Sequence, residues 1–276
     1  MTKEDIIRSA EQYMEESPGN YVSEAVALSP EQAGLQIFDP PLLAFGMAGD
    51  GIFTRFRDSG VIGSRFFLPD RWLPGAKTVI SIFLPYSARI KSANAINNEW
   101  PATEWLHGRI EGQRFLNELT IHIHGLLTDA GYDSLIPSMK PKFIEGDGLV
   151  DAGSAPGGLP ASWSERHVAF ACGMGTFGLS KGFISGKGIC GRLGSIITSL
   201  ETEYDTRRYE EPYEYCIMCG ACISKCPAGA ISKGGKDDSL CKTFLDKVMD
   251  KHSPWYGCGK CQVGVPCESK APGLKA

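Results

Sequence analysis

Cysteines are the residues best suited to chemistry in this chain, which has ten of them among 276 residues. Cys172 and Cys190 stand alone, and the other eight lie between Cys216 and Cys267. In a chain without a visible secretion signal, such clustering indicates metal ligands rather than disulfides. Cys216 opens a Cys-x2-Cys-x2-Cys-x3-Cys-Pro motif, the spacing of bacterial [4Fe–4S] ligands. The motif therefore predicts iron–sulfur chemistry, with a zinc site or a chance cysteine loop as the alternatives.

The same spacing predicts how the cysteines divide. In proteins with two clusters, the fourth cysteine of this motif ligates the other cluster, so Cys226 belongs with the later cysteines. Two sets of four result, with none left over: Cys216, Cys219, Cys222 and Cys267 for one [4Fe–4S] cluster, and Cys226, Cys241, Cys258 and Cys261 for the other. Two such clusters form a low-potential electron path, which implies reduction chemistry fed by a ferredoxin or flavodoxin-like donor.

The elements that position these cysteines suggest two domains. Residues 1–205 are predicted to form an α/β domain that performs catalysis or binds a cofactor. Residues 206–276 are predicted to form a small domain like bacterial ferredoxins, so the fold class is α+β or α/β. The charged, proline-containing segment Glu201–Glu214 is taken as the boundary.

Local patterns predict the main elements. Thr2 and Asp5 form a capping box before an amphipathic helix, and Ser162 with Glu165 opens another helix that runs to Ala171. Helical periodicity covers 108–130 and 239–251, the latter with Leu240, Phe244, Leu245 and Val248 facing inward. Apolar, β-branched runs predict strands at 78–83, 182–184 and 194–199, of which the first is a buried central strand.

Composition excludes several classes of protein. Hydrophobic residues make up 42% and charged residues 22%, so the chain is globular rather than disordered. The longest apolar stretch, near 78–86, is far shorter than the roughly 20 residues of a membrane span. A net charge of −4 argues against bulk nucleic-acid binding. These features predict a cytoplasmic protein without a membrane partner.

The order of motifs resembles that of epoxyqueuosine reductases and, more distantly, the cores of reductive dehalogenases. The matching stretches are PGAKTVISIFLPY from Pro74, ERHVAFACGMGTFG from Glu165, GRLGSIIT from Gly191, CIMCGACISKCPAGAI from Cys216, Cys241, and YGCGKCQ from Tyr256. The resemblance implies an N-terminal α/β domain that binds cobalamin, with one cubane near the cobalt. It thus implies a corrinoid-dependent reductase, which we expect to act on a small oxidised substrate.

Departures from that family shape further expectations. Its members extend into a helical repeat region that helps to hold tRNA, whereas this sequence ends at Ala276, so a small-molecule substrate is expected and tRNA is disfavoured. The family's aspartate proton donor has no counterpart at the expected spacing before the Glu-Arg pair, which leaves Asp151 as the candidate acid. The last two family cysteines are closer together than Cys261 and Cys267.

Several other residues are candidates for the site. A Gly-x-Gly-x-x-Gly pattern at Gly173, Gly175 and Gly178 has the spacing of the dinucleotide-binding motif, but a helix rather than a strand precedes it. We therefore interpret these glycines, with Arg166, as residues that approach a flat cofactor. The alternative is a plain helix C-cap followed by a turn. Tyr86 ends the central strand, where open α/β sheets bind ligands. His167 is the histidine suited to proton transfer. Cys172 and Cys190 are predicted to be small buried side chains.

Two rival functions remain open at this point. The chain could be an electron-transfer or activator protein that carries both clusters, docks on another enzyme and binds no organic cofactor. It could alternatively bind a flavin in the N-terminal domain. Iron content and bound chromophores distinguish these from the corrinoid reductase.

Overall fold

An antiparallel sheet of four strands forms the centre of the molecule, seen in a computed structural model that describes residues 1–140 and 162–274. The strand order is β1 (Leu42–Met47), β2 (Thr78–Pro85), β6 (Gly191–Thr198) and β3 (Ser134–Leu135). The predicted central strand is confirmed. All eight residues of β2 are buried, because β1 and β6 pair with its two edges.

Helices cover both faces of this sheet. Gly194 of β6 faces Leu116 of α5 (Thr103–Asp129), whereas the next residue, Ser195, accepts a hydrogen bond from Trp163, just before α6 (Glu165–Ala171). Successive strand residues point to opposite faces, so α5 and α6 lie on opposite sides of the sheet. On the α5 side, α1 (Lys3–Glu16) buries Ile6, Ala10 and Met14 and packs against α5.

Smaller elements complete the chain. The short helices are α2 (Gly51–Arg55), α3 (Pro69–Trp72), α4 (Ala88–Ala95) and α7 (Ala221–Ser224), and the last helix is α8 (Asp238–His252). Two small hairpins pair β4 (Gly175–Phe177) with β5 (Phe183–Ser185), and β7 (Ile231–Ser232) with β8 (Gly235–Lys236). Within the described ranges, no helix is both long and apolar enough to span a membrane. The mixed α+β class with a ferredoxin-like C-terminal region is confirmed.

Three local predictions need correction. The α6 helix starts at Glu165 with Ser164 as N-cap, so Ser162 and Glu165 form no capping box; the Ser164 hydroxyl is hydrogen-bonded to His167 Nδ1 instead, at 2.8 Å. The α5 helix begins at Thr103, ahead of the predicted start at Gly108. On α8, Leu240 is 49% exposed rather than inward-facing.

The predicted boundary segment is fixed to the N-terminal part of the chain. Residues 201–214 form neither helix nor strand. The Asp205 carboxylate nevertheless binds Lys3 Nζ at 2.5 Å and accepts the Phe45 amide at 2.8 Å. Tyr209 and Tyr215, which follow, are buried in the same apolar core as the sheet. Division into domains at 205/206 therefore stays a prediction.

Candidate metal centre

The eight clustered cysteines form no disulfides; seven lie on loops or short helical turns, and Cys241 lies in the first turn of α8. Cys219 is exposed and the other seven are partly buried. Left-handed backbone at Met218, with φ of 49°, and at Gly220, with φ of 75°, turns the first loop tightly around its sulfurs. Such a loop lets several thiols face one volume, as a cubane requires.

Four thiols form what we call the first cysteine group, comprising Cys216, Cys219, Cys222 and Cys267. Burial, and after it the nearby thiols of Cys216, Cys222 and Cys219, raises the pKa of Cys267 to about 12. Burial also raises the pKa of Cys222, with Cys216 and Cys219 as the next largest causes. The distant Cys267 is therefore a neighbour of the motif's first three cysteines, despite its unusual sequence spacing.

The other four thiols, Cys226, Cys241, Cys258 and Cys261, form the second cysteine group and line one cavity of about 200 Å³. Burial, followed by Cys258, Cys241 and Cys226, raises the pKa of Cys261 to about 12, while Lys236 opposes this rise. The pKa of Cys258 is raised to about 11, again chiefly by burial.

This donor set fits iron–sulfur clusters. Crowded, partly buried thiols with raised pKa values lack a counter-charge, and an iron core supplies one by binding them as thiolates. A single zinc ion draws four sulfurs to about 2.3 Å from one point. The second group instead encloses a cavity of about 200 Å³, which suits a larger polynuclear centre.

The second group is built directly against α5. A Cβ on Gly259, whose φ is 63°, would overlap the buried ring of Trp105. A Cβ on Gly257, whose φ is 130°, would lie 3.2 Å from the Arg109 side chain, and Arg109 also donates to the Tyr256 hydroxyl at 2.9 Å. The loop that carries Cys258 and Cys261 can approach α5 this closely because both positions are glycine.

The first group is attached to the hairpin region that precedes β6. The Ile189 amide donates to the Cys267 carbonyl at 2.9 Å, and the Tyr215 amide donates to the Thr176 hydroxyl at 2.9 Å. Both groups are therefore held by the N-terminal part of the chain, each on a different surface.

The two isolated cysteines are buried, as predicted. Cys172 is 0% and Cys190 is 1% exposed. Cys172 packs on Gly46, and burial raises its pKa well above the ordinary value. The Cys190 thiol, just before β6, donates to the Gln262 carbonyl at 3.0 Å, which links this part of the chain to the turn that carries Cys261.

The glycines proposed to approach a cofactor are explained by packing within the chain. Gly173, with φ of 85°, directly follows the C-cap of α6. A Cβ on Gly175 would collide with the Ile184 carbonyl across the β4–β5 pair, and one on Gly178 would press on Ile184 at 3.2 Å. Arg166 is exposed and donates to the Lys181 carbonyl at 2.5 Å. These contacts favour the helix C-cap alternative over a cofactor site.

The catalytic candidates differ in position. Tyr86 is 2% exposed and lines the cavity of the second group, but its hydroxyl donates to the Gly108 carbonyl at 3.1 Å and burial raises its pKa. The sheet is antiparallel, so the open α/β argument for a ligand at this strand end does not apply. Asp151 lies outside the described residues.

Glu165 is an acid that sequence reasoning assigned to a helix cap. Its carboxylate oxygens are buried and have no hydrogen-bond partner within the described ranges. Burial raises its pKa to about 7, against a smaller opposing effect of the nearby Ser195 hydroxyl. His167, two residues on, behaves oppositely: burial, aided by Arg166, lowers its pKa to about 4. At neutral pH the imidazole is thus uncharged and the carboxyl is partly protonated.

A buried polar network near the second group was also missed by sequence reasoning. His107 is 0% exposed; its Nδ1 is hydrogen-bonded to Glu111 at 2.9 Å and its Nε2 to the Gln32 side chain at 3.0 Å. Trp255, which shortly precedes Cys258 of the second group, donates to Glu111 at 3.3 Å. The i, i+4 spacing of His107 and Glu111 on α5 was the available signal.

Comparison with known proteins defines the class first. Residues 211–232 match the family described as a 4Fe-4S binding domain, so this segment of the chain is of the iron–sulfur, 4Fe-4S class. These residues include the first three cysteines of the first group and Cys226 of the second.

The suspected resemblance to epoxyqueuosine reductases is confirmed as well. The epoxyqueuosine reductase of Bacillus cereus is 29% identical over 211 residues, which cover 72% of this chain and 50% of the relative. This chain therefore spans about half of the length of that relative. A solved epoxyqueuosine reductase with an epoxyqueuosine-modified tRNA stem loop covers 96% of this chain and 65% of its own, with 19% identity and a TM-score of 0.56. The catabolic reductive dehalogenase NpRdhA shares the fold, with 14% identity, a TM-score of 0.52, and coverage of 96% of this chain and 37% of its own.

The expectation that disfavoured tRNA is wrong. A protein of this fold has been solved with an epoxyqueuosine-modified tRNA stem loop, so the fold accommodates a tRNA partner. The net charge and the end of the sequence at Ala276 were insufficient grounds for disfavouring tRNA, because a stem loop needs only a local binding surface.

Proposed function

We propose that this chain is the core of an iron–sulfur reductase that holds two [4Fe–4S] clusters, one in each cysteine group. The observation that carries the proposal is the spatial grouping of the eight thiols, with four of them lining one cavity. The matched 4Fe-4S domain and the similarity to epoxyqueuosine reductases support the same chemistry. The ten free thiols suit a reducing compartment, so we propose the cytoplasm as its location and a ferredoxin or flavodoxin-like protein as its donor.

We propose an epoxyqueuosine-containing tRNA stem loop as the first substrate to test. The relatives named epoxyqueuosine reductase support this choice. Reduction converts an epoxide into an alkene with release of water, which consumes two electrons and two protons. The clusters supply electrons one at a time, and a partly protonated acid such as Glu165 suits proton delivery.

A corrinoid acceptor is a separate hypothesis, suggested by the family resemblance and by the dehalogenase of the same fold. The cavity at the second group, about 200 Å³ among the described residues, is smaller than the roughly 300–1,000 Å³ of ordinary ligand pockets, so this cavity alone is too small for a corrin. A corrinoid, when bound, would supply a low-valent cobalt nucleophile. The direct test is anaerobic titration with cobalamin, read by visible spectra and retained cobalt.

The cluster assignment is tested by iron content after anaerobic reconstitution. We expect about eight iron atoms per wild-type chain, from two clusters of four irons each. Cys219→Ala in the first group and Cys241→Ala in the second should each retain about half of that iron, because each removes one ligand from one cluster. Cys172→Ala, which removes a buried thiol outside both groups, is the control and should retain all of it.

An outcome of zinc instead of iron, or unchanged iron in both ligand variants, would overturn the assignment. The rival function, an electron-transfer or activator protein, is favoured if the clusters form, no corrinoid or flavin is retained, and no reduction of the tRNA stem loop occurs. In that case the reduced protein should still pass electrons to a partner enzyme.

A further inference from the structure

Lys260 lies between two cysteines of the second group and is buried. Only 1% of the residue is exposed, which places it among the largest fully buried side chains of the described residues. Its Nζ donates to the Asn94 carbonyl at 2.7 Å. Asn94 is in the last turn of α4, where carbonyl groups lack helical partners and attract cations.

Asn94 returns a contact to the same loop. Its side-chain nitrogen donates to the Cys258 carbonyl at 3.0 Å, and its side-chain oxygen accepts the Ala102 amide at 3.0 Å. Asn94 is itself 0% exposed. Lys260 and Asn94 thus attach the cysteine loop to the corner between α4 and α5 through two hydrogen bonds in opposite directions.

Within residues 1–140 and 162–274, no carboxylate forms an ion pair with the Lys260 ammonium. Cys258 and Lys225 are the charged or acidic groups that interact with this ammonium. A buried cation without an anionic partner is unfavourable. The thiols of the second group are the acidic groups placed to compensate it.

We propose that Lys260 is a positioning residue that raises the reduction potential of the cluster in the second group. It does so by holding one positive charge beside the ligand loop and by fixing that loop to α4. The inference rests on the proposed function, since it requires a cluster at these cysteines.

The direction follows from electrostatics. One-electron reduction adds one negative charge to a cluster that is already anionic, and a buried cation nearby stabilises the reduced form more than the oxidised form. Removing the charge makes reduction harder. The effect should be confined mainly to the second group, because the first group is attached elsewhere, to the hairpin region before β6.

The test is a redox titration of the reconstituted full chain, followed by electron paramagnetic resonance so that the two clusters are resolved. Lys260→Gln keeps a donor for the Asn94 carbonyl and removes the charge. In this variant we expect the equilibrium constant for one-electron reduction of the second-group cluster to fall by about tenfold. This corresponds to a reduction potential about 59 mV more negative. Lys260→Arg should retain a potential close to wild type. Lys247→Met removes an exposed lysine of the same region and is the control.

Each result of the redox titration either supports or contradicts the proposed role of Lys260. An unchanged second-group potential in Lys260→Gln, with full iron content, overturns the inference while leaving the proposed function intact. Loss of the second cluster from both the Gln and Arg variants also overturns it, because the role would then be packing rather than charge. Absence of any cluster from the wild-type protein refutes the proposed function itself, and is recognised by iron content before titration.

Discussion

At the scale of single residues, Glu165 and His167 show how burial separates two titratable groups on one helix. Their pKa values move in opposite directions, to about 7 and about 4. The sequence identified His167 as a candidate for proton transfer but treated Glu165 as a cap. The reason is that Glu165 becomes unusual only when β6 places Ser195 and a dry environment around it, and no local pattern predicts that burial.

The Glu165→Gln variant should change how stability depends on pH. A buried acid with a raised pKa binds more protons when folded, so its contribution to stability falls as pH rises from about 4.5 to about 7. The change in the free energy of unfolding from pH 5 to pH 8 should therefore be more favourable in the variant than in the wild type, by about 1–3 kcal/mol. Anaerobic melting at the two pH values measures this difference.

His167→Gln provides the opposite control. A histidine with a lowered pKa loses stability as pH falls from 6.5 towards about 4, so its removal should relieve acid destabilisation. If Glu165→Gln melts with the same pH profile as wild type, the carboxyl is solvated and has no role as a neutral acid.

At the scale of elements, the sequence was most informative where one periodicity extended over many residues. It predicted α1 with its Thr2–Asp5 capping box, the buried strand β2 and the end of α5 near Ala130, its C-cap. It failed where tertiary contacts decide. Leu240 fits the helical stripe of α8 yet is exposed, because the cavity wall is formed by Phe244 and Leu245.

Gly259→Ala should damage the second cysteine group selectively. The added methyl group overlaps the Trp105 ring and the backbone is left-handed, so we expect a loss of about 2 kcal/mol or more and failure to retain the second cluster. Iron content and melting temperature measure both effects.

Gly229→Ala is the matched control for that variant. Gly229 has a nearly identical φ of 59° but nothing within 4 Å of the added carbon. It should therefore show only the smaller backbone cost of about 1 kcal/mol and retain full iron content. Equal damage in both variants would assign the effect to backbone strain rather than to contact with α5.

At the scale of the whole molecule, residues on both sides of the predicted domain boundary pack into one hydrophobic core. Tyr209 donates to the Phe170 carbonyl at 2.7 Å and accepts the Gly175 amide at 3.2 Å. Tyr215 and Val263 are buried in the same cluster as the sheet. Charge and proline content predicted a linker at 201–214, but they carry no information about such long-range packing.

A fragment of residues 1–205 should therefore be much less stable than the full chain without clusters. Each lost buried side chain of this size is worth about 1.5–3 kcal/mol, so the three together amount to about 5 kcal/mol or more. For a protein of this size that corresponds to a decrease of about 10 °C or more in melting temperature. Calorimetry of both cluster-free proteins measures it, and equal melting temperatures would establish an independent N-terminal domain.

The antiparallel pairing of β2 with β6 has a consequence for how the protein is made. Thr78 pairs with Thr198, so the central strand gains its second neighbour only after the ribosome has translated most of the chain. Contacts so distant in sequence slow folding. The cysteine loops follow β6 in the chain and dock on surfaces that depend on this late pairing, so we expect the proposed clusters to be inserted after the sheet has closed.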